Sequence, residues 1–342
     1  MKVLFIGGTG NISKVCAELA VARGYDVTLL NRGKNATVPG TRHIALDLAD
    51  PAAEVAATLG SQRWDVVADF IIFTPEQLEQ RINLFRGRVG QFFFISSASV
   101  YQRPITHYHV TESTPLANPF WDYSRNKIAC EDRLQRALRE ENFPCVIVRP
   151  SWTYGQTVIP LAVTSFGKYY FTGLDRMRKG KPMIVPGDGS SLWAMTHNTD
   201  FAKGFVGLFG NPAANGHAFH ITSDEVLSWN QIYQTVADAA GVRDLKLVHI
   251  ASDFITACLP DFTGGLHGDK SSSVVMDNTK IKRFVPDFVA TTKLRDGVAK
   301  SIAWYDADPA RQLVDHDANA SWDKLIAAYE RGLDAAKREF GR

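Results

Sequence analysis

Up to about Pro150, short apolar runs alternate with longer amphipathic ones, the signature of a parallel sheet covered by helices. The apolar runs predict strands at Val3 to Gly7, Asp26 to Asn31, His43 to Leu46, Asp65 to Phe70, Gln91 to Ser96 and Pro144 to Val148. They are rich in Val, Ile, Leu and Phe with little polar alternation, as strands buried on both faces are. Ile12 to Arg23 reads as a helix with Val15, Cys16, Leu19 and Ala20 on one face and Gly24 as its stop. A second helix runs from about Tyr123 to Glu140. Beyond Gly155 the period fades, and residues 156–196 read as irregular structure over the carboxyl ends of the strands. Ser228-Trp229-Asn230-Gln231 forms a capping box that opens a helix to Ala240, and further helices are expected near Thr292 to Tyr305 and Ser321 to Phe340.

A chain of 342 residues suggests two lobes. The pattern divides them unequally. Residues 1–155, with a return segment at about 197–222, form the first; residues 156–196 and 223–342 form a smaller, interleaved C-terminal substrate lobe. Lys and Arg total 38 against 36 Asp and Glu, so the net charge of +2 lacks the basic excess of a phosphate-backbone binder. Nucleic acid is therefore not an expected partner. No apolar run is long enough to span a bilayer, so no membrane association is expected either. The four cysteines, Cys16, Cys130, Cys145 and Cys258, are scattered without Cys-X-X-Cys spacing, which suits a reduced cytoplasmic setting. The first three fall in helix or strand patterns, where a thiol acts as a small hydrophobe.

The chemistry begins at Gly7-Gly8-Thr9-Gly10-Asn11-Ile12-Ser13, between the first strand and the first helix. Glycines there let a backbone approach a pyrophosphate while the helix N-terminus offers unpaired N–H groups. Ser13 stands where a third glycine is usual. An NAD site places Asp or Glu about twenty residues further on to hold the ribose 2'-hydroxyl. This chain reads Asn31-Arg32-Gly33-Lys34 instead, so NADP is preferred over NAD, with Arg32 and Lys34 available to a 2'-phosphate. Arg32 as a solvated turn residue is the alternative.

Tyr123-Ser124-Arg125-Asn126-Lys127 puts a phenol and an ammonium on one helical face. A neighbouring cation is expected to lower the phenol's pKa toward the range of a general acid or base. Ile95-Ser96-Ser97-Ala98-Ser99-Val100-Tyr101 ends the fifth strand, where open α/β sheets bind ligands. With these pieces the chain resembles the extended short-chain dehydrogenase/reductases, the group of NAD-dependent epimerases and dehydratases. Matching motifs continue with Asp47-Leu48, Glu112 and Pro115, Arg149-Pro150-Ser151-Trp152-Thr153-Tyr154-Gly155, Pro186-Gly187-Asp188-Gly189, and His197 with Asp200.

The resemblance implies a Rossmann-type, doubly wound α/β fold and a Ser97, Tyr123, Lys127 catalytic set. Tyr123 would exchange the proton, Lys127 would hold the nicotinamide ribose, and Ser97 would orient the reacting oxygen. It further implies that Gly7, Thr9, Gly10, Asn11, Ile12, Asn31, Arg32, Asp47, Leu48, Phe70, Ile71 and Pro150 contact the cofactor. A homodimer through two helices of the first lobe, one bearing Tyr123, follows from the same resemblance. The expected activity is NAD(P)-dependent oxidoreduction or epimerisation at a secondary alcohol or ketone of a sugar-like small molecule. A cofactor-sensing or RNA-associated regulator on the same fold is the alternative.

Departures from the family narrow this. Dehydratases carry Asp-Glu after the hydroxyl residue, but here Ala98 and Ser99 follow Ser97, which argues against 4,6-dehydration. Sugar nucleotide epimerases place an arginine four residues before the position of His197, whereas this chain has Trp193. Arg176, Arg178 or Lys181 could compensate for it. Trp152, Tyr154 and Trp193 are candidate substrate contacts. His107-Tyr108-His109 has no partners that would complete a metal site, so no metal is expected.

Overall fold

A computed structural model describes residues 1–33, 37–49 and 52–341. Strands β1 (Lys2–Ile6), β2 (Asp26–Asn31), β3 (Arg42–Ala45), β4 (Trp64–Asp69), β5 (Val89–Ile95), β6 (Cys145–Val148) and β7 (Ala218–Phe219) form one seven-stranded sheet. Its order is β7-β6-β5-β4-β1-β2-β3, and every pairing is parallel. This is the doubly wound fold expected from the alternating pattern. The strand order reverses beside β1, so a crevice opens at the carboxyl edge between the loops that follow β1 and β4.

Side chains along each strand divide between the two faces because their period is two. Val3, Phe5, Phe93 and Ile95 face helices α1 (Ser13–Ala22) and α6 (Asn198–Gly207), packing against Ala17, Phe201 and Phe205. Leu4, Ile6, Phe92 and Phe94 face α3 (Pro75–Phe85) and α4 (Asp122–Glu141), against Leu78, Ile82, Cys130 and Leu134. Each fully buried Phe or Leu contributes about 1.5–3 kcal/mol, and this sandwich makes the edge rigid. Helix α3 starts on a capping box between Thr74 and Gln77 with Pro75 in its first turn. Its apolar stripe is only three residues long, Leu78, Ile82 and Phe85 at i, i+4 and i+7, with Arg81 buried beside them.

The chain rejoins the large sheet through α6 and β7. A separate core gathers α5 (Phe171–Arg178), α7 (Trp229–Ala239) and α8 (Leu294–Asp306) around Leu174, Met177, Trp229, Tyr233 and Val298. The capping box expected at Ser228 and Gln231 opens α7. The reading of 156–196 as irregular is corrected: the span holds α5 and a strand, Met183–Pro186, paired with Leu247–Ile250. The aromatic and small residues of that span hid its period. Among the described residues, no helix is long and apolar enough to cross a membrane.

Candidate active site

The loop after β1 turns through Gly7, whose φ of 79° is strained for any side-chain-bearing residue. Ser13 braces it from inside, donating to the Gly7 carbonyl at 2.7 Å and accepting from the Gly10 N–H at 2.9 Å. The serine in the third glycine's place is thus accommodated as a loop tie. Asn11 fastens the loop to the segment after β6 and to α6: its side chain donates to Thr153 O at 3.0 Å, and Asn198 donates to Asn11 O at 2.7 Å. A groove of about 450 Å³ runs from Gly7, Gly10, Asn11 and Ile12 past Phe70 and Ile71 to Ser97, Tyr123, Lys127 and Pro150. Amide groups at the α1 end, apolar side walls and a lysine at the inner end fit a nicotinamide dinucleotide.

The other residues expected near the cofactor lie around this edge. Asn31 spends its side-chain oxygen on Gly33 N at 2.8 Å and on the His43 ring at 2.9 Å. Arg32 is exposed, 3.9 Å from the Asp47 carboxylate. Lys34 lies outside the described residues. Leu48 is buried and borders a different cavity, between α2 (Ala52–Leu59) and α3, while Thr9 borders a neighbouring pocket with Lys14 and His197 that shares Gly10 and Asn11 with the groove.

A second cavity, of about 550 Å³, adjoins the groove, and the two share Ser97, Tyr123, Pro150, Ser151 and Trp152. The Ser97 hydroxyl caps the turn after β5, accepting from Ser99 N at 3.1 Å, and continues through the Ser99 hydroxyl at 2.9 Å to Ser124 at 2.7 Å. Lys127 is buried and donates to the carbonyls of Ile72 at 2.5 Å and Ile95 at 2.7 Å, bridging the segments that leave β4 and β5. Burial pulls its ammonium down to about 8. Tyr123 departs from expectation. Burial pushes its phenol above the ordinary tyrosine value, Asp269 adds to the rise, and hydrogen bonding with Ser97 pulls the other way. Desolvation therefore outweighs any help from Lys127.

The remaining sequence candidates separate clearly. Trp152 and Trp193 line the second cavity. Tyr154 does not: it is fully buried, and a Cβ on Gly297 would come within 2.0 Å of its hydroxyl, so α8 covers it closely. Arg176 bonds to Asn319 at 2.9 Å and Asp323 at 2.8 Å, Arg178 to Asp306 at 2.6 Å, and Lys181 to Asp323 at 2.6 Å. These side chains tie α5 and the residues just after it to α8 and α9 (His316–Glu339), so none compensates for an arginine at Trp193.

Residues 3–222 match the model of the NAD dependent epimerase/dehydratase family. The chain belongs to this family. Among curated relatives, the chloroplast stem-loop binding protein of 41 kDa b from Arabidopsis thaliana is 26% identical over 72% of this chain and 65% of its own length. The 2'-dehydrokanamycin reductase of Streptomyces kanamyceticus is 25% identical over 76% of this chain and 72% of its own. The chain thus spans about two thirds of the length of the Arabidopsis protein. Similar solved folds include UDP-glucose 4-epimerase from Bifidobacterium longum with NAD+ and UDP, at TM-score 0.71 and 18% identity, covering 92% of this chain and 100% of that one. UDP-glucuronic acid 4-epimerase from Bacillus cereus, with UDP-glucuronic acid and NAD, has TM-score 0.69 and 18% identity over 90% of this chain and 99% of that one.

Within this family member, the cavity wall contains residues that no motif announced. Trp121, Asp269 and Lys270 line it together with Phe166 and Tyr170. Asp269 and Lys270 end a five-residue π-helix, Leu266–Lys270, a geometry that recurs at functional sites. Gly264 lets this segment press on Trp121, since a Cβ there would come within 2.4 Å of the indole. Asn118 locks it by donating to Gly268 O at 2.8 Å and Ser99 O at 2.7 Å. The clustered glycines 264, 265 and 268 were the only available signal, and they name no chemistry.

Proposed function

We propose that the chain is an NAD(P)-dependent oxidoreductase or epimerase acting at a secondary alcohol or ketone of a sugar-like small molecule. The observation that carries this reading is the meeting of groove and cavity at Ser97 and Tyr123, two of the three hydroxyls that border both; the third, Ser151, donates to Ala194 O at 3.1 Å. When bound, the nicotinamide accepts or returns the hydride. Tyr123 takes the proton of the substrate hydroxyl or returns it to the ketone oxygen. Its raised pKa suits the donor role at neutral pH. Ser97 holds the same oxygen by a hydrogen bond, and Lys127 holds the cofactor ribose. Arg32 pairs with a 2'-phosphate, which favours NADP over NAD. The active unit is a cytoplasmic homodimer formed through helices of the first lobe, α4 among them.

Tyr123→Phe is expected to lower turnover by at least about 100-fold, the lower range for a positioned general acid or base. Cofactor reduction with a panel of sugars and polyols measures it, and unchanged turnover removes Tyr123 from the mechanism. A second reading, RNA association, is favoured by the stem-loop binding name of the Arabidopsis relative. Tight, salt-sensitive retention of stem-loop RNA together with no turnover on the panel would select it.

A further inference from the structure

The charge on the cavity wall narrows the substrate. Lys270 is the single Lys or Arg side chain among the described residues that line the cavity, and it is buried. Its ammonium donates to Asp269 at 3.0 Å and to Gly265 O at 3.3 Å, and lies 4.8 Å from the centre of the Trp152 ring. With three N–H donors on an ammonium, one remains for a ligand. The other oxygen of Asp269 lies 3.8 Å from Arg103, a buried guanidinium whose nitrogens have no hydrogen-bond partner among the described residues. One carboxylate between two cations leaves the group with one net positive charge, Lys270 facing this cavity and Arg103 a separate pocket that Asp132 also lines. Asp261, also on the lining, is exposed to solvent, where water screens it.

A second donor stands on the same wall. Trp193 stacks on Trp229 with ring centres 5.7 Å apart, and Trp229 donates to Lys270 O at 3.1 Å, so Trp193 and Lys270 are held to one support. The Trp193 indole N–H is buried and has no partner among the described residues. An orphaned buried donor costs free energy until an acceptor fills it. The wall therefore offers an ammonium and the Trp152 face, with the unpartnered Trp193 indole N–H buried behind them, which suits one anionic acceptor group carried on a compact ring. It does not suit a sugar diphosphate, which brings about two charges and wants bidentate guanidinium contacts.

We infer that the substrate is a free, non-nucleotide cyclic hydroxy acid whose single carboxylate is held by Lys270, with its reacting carbon turned toward Tyr123. The inference rests on the reading of the cavity as the substrate site. It makes Lys270 the residue that selects for charge.

The test is equilibrium binding to the full chain in the presence of NADP, read by quenching of tryptophan fluorescence, with D-glucuronate, D-glucose, D-glucosamine and UDP-glucose as probes. D-glucuronate is expected to bind at least about tenfold more tightly than D-glucose or D-glucosamine, the size of one charge-assisted hydrogen bond. UDP-glucose is expected to show no advantage over D-glucuronate. Lys270→Gln should erase the preference for the acid and Lys270→Arg should retain most of it. A tighter UDP-glucose or D-glucosamine complex, no binding of D-glucuronate, or a preference untouched in folded Lys270→Gln protein would overturn the inference. The same titrations run in Tyr123→Phe protein need no turnover. Selectivity kept there while turnover is normal would sink the role of Tyr123 alone, and selectivity absent while Tyr123→Phe is inactive would sink this inference alone.

Discussion

The ammonium of Lys127 lies 5.6 Å from the centre of the Tyr123 ring and spends its protons on the carbonyls of Ile72 and Ile95. The two side chains are one helical turn apart, yet the lysine is anchored to the ends of β4 and β5 rather than to the phenol. Its charge is thereby fixed at the inner end of the groove.

This anchoring gives the first prediction. The Lys127 pKa in the free protein is about 8, so the side chain is charged below that pH and loses its proton above it. If the charged form holds the anionic cofactor, binding above that value must take up a proton. Affinity for NADP is expected to fall by up to about tenfold per pH unit above about 8 and to be level below it. Calorimetric titration across that range measures it. In Lys127→Met protein the affinity should be lower and lack this step; an identical pH profile in the variant contradicts the assignment.

A second prediction concerns a buried ion pair beside the groove. Asp69, at the end of β4, is fully buried and accepts from Arg81 at 3.1 Å and from Ile71 N at 2.8 Å. Burial raises its carboxyl above the ordinary value although Arg81 opposes the shift. Arg81→Met removes the partner and leaves the carboxylate, which typically costs about 3–5 kcal/mol. Because the folded-state pKa lies above the unfolded one, the ionised form is the disfavoured one, and stability declines as pH rises through that interval. Urea unfolding of Arg81→Met protein should show part of the loss recovered on acidification into the carboxylate range. A deficit that is the same at neutral and acid pH would place its origin elsewhere.

Specific local grammar explains what could be read from the sequence. The glycine loop, β2, the Ser228 capping box and the Ser97 to Tyr101 strand end depend on neighbouring residues, and each stands where the pattern puts it. The buried Arg81 and strand β7 depend on distant partners: Arg81 has meaning only once Asp69 lies beside it, and the two residues of β7 form a strand only because β6 is there to pair with. The substrate wall is the extreme case. Trp193, Trp229 and Lys270 come from separate segments, and a basic run as conspicuous as Arg176 to Lys181 is consumed by ion pairs to α8 and α9.

The proposed preference for NADP rests on one exposed side chain, Arg32. Arg32 is exposed, with the Asp47 carboxylate at 3.9 Å, within ion-pair reach but too long for a hydrogen bond, and a 2'-phosphate would compete for it. Arg32→Ala is expected to weaken NADP binding by about tenfold and leave NAD within about twofold, since only the former carries the phosphate. Dissociation constants for both cofactors in both proteins settle it. Tighter binding of NAD than of NADP by the unmodified chain contradicts the preference.

Tyr154 gives the last prediction, because the structure removes it from the substrate contacts that the sequence suggested. It is fully buried, its ring meets His197 edge-on with centres 5.3 Å apart, and its hydroxyl has no hydrogen-bond partner among the described residues. A buried hydroxyl without a partner carries its desolvation cost uncompensated. Tyr154→Phe deletes that oxygen and relaxes the close approach of Gly297 while keeping the ring. The variant is expected to be more stable by about 1 kcal/mol, seen as a higher urea midpoint at unchanged slope. Its KM for substrate should not change, because no part of the side chain reaches the cavity. A raised KM with unchanged stability would return Tyr154 to the substrate site and require α8 to open away from Gly297 during turnover.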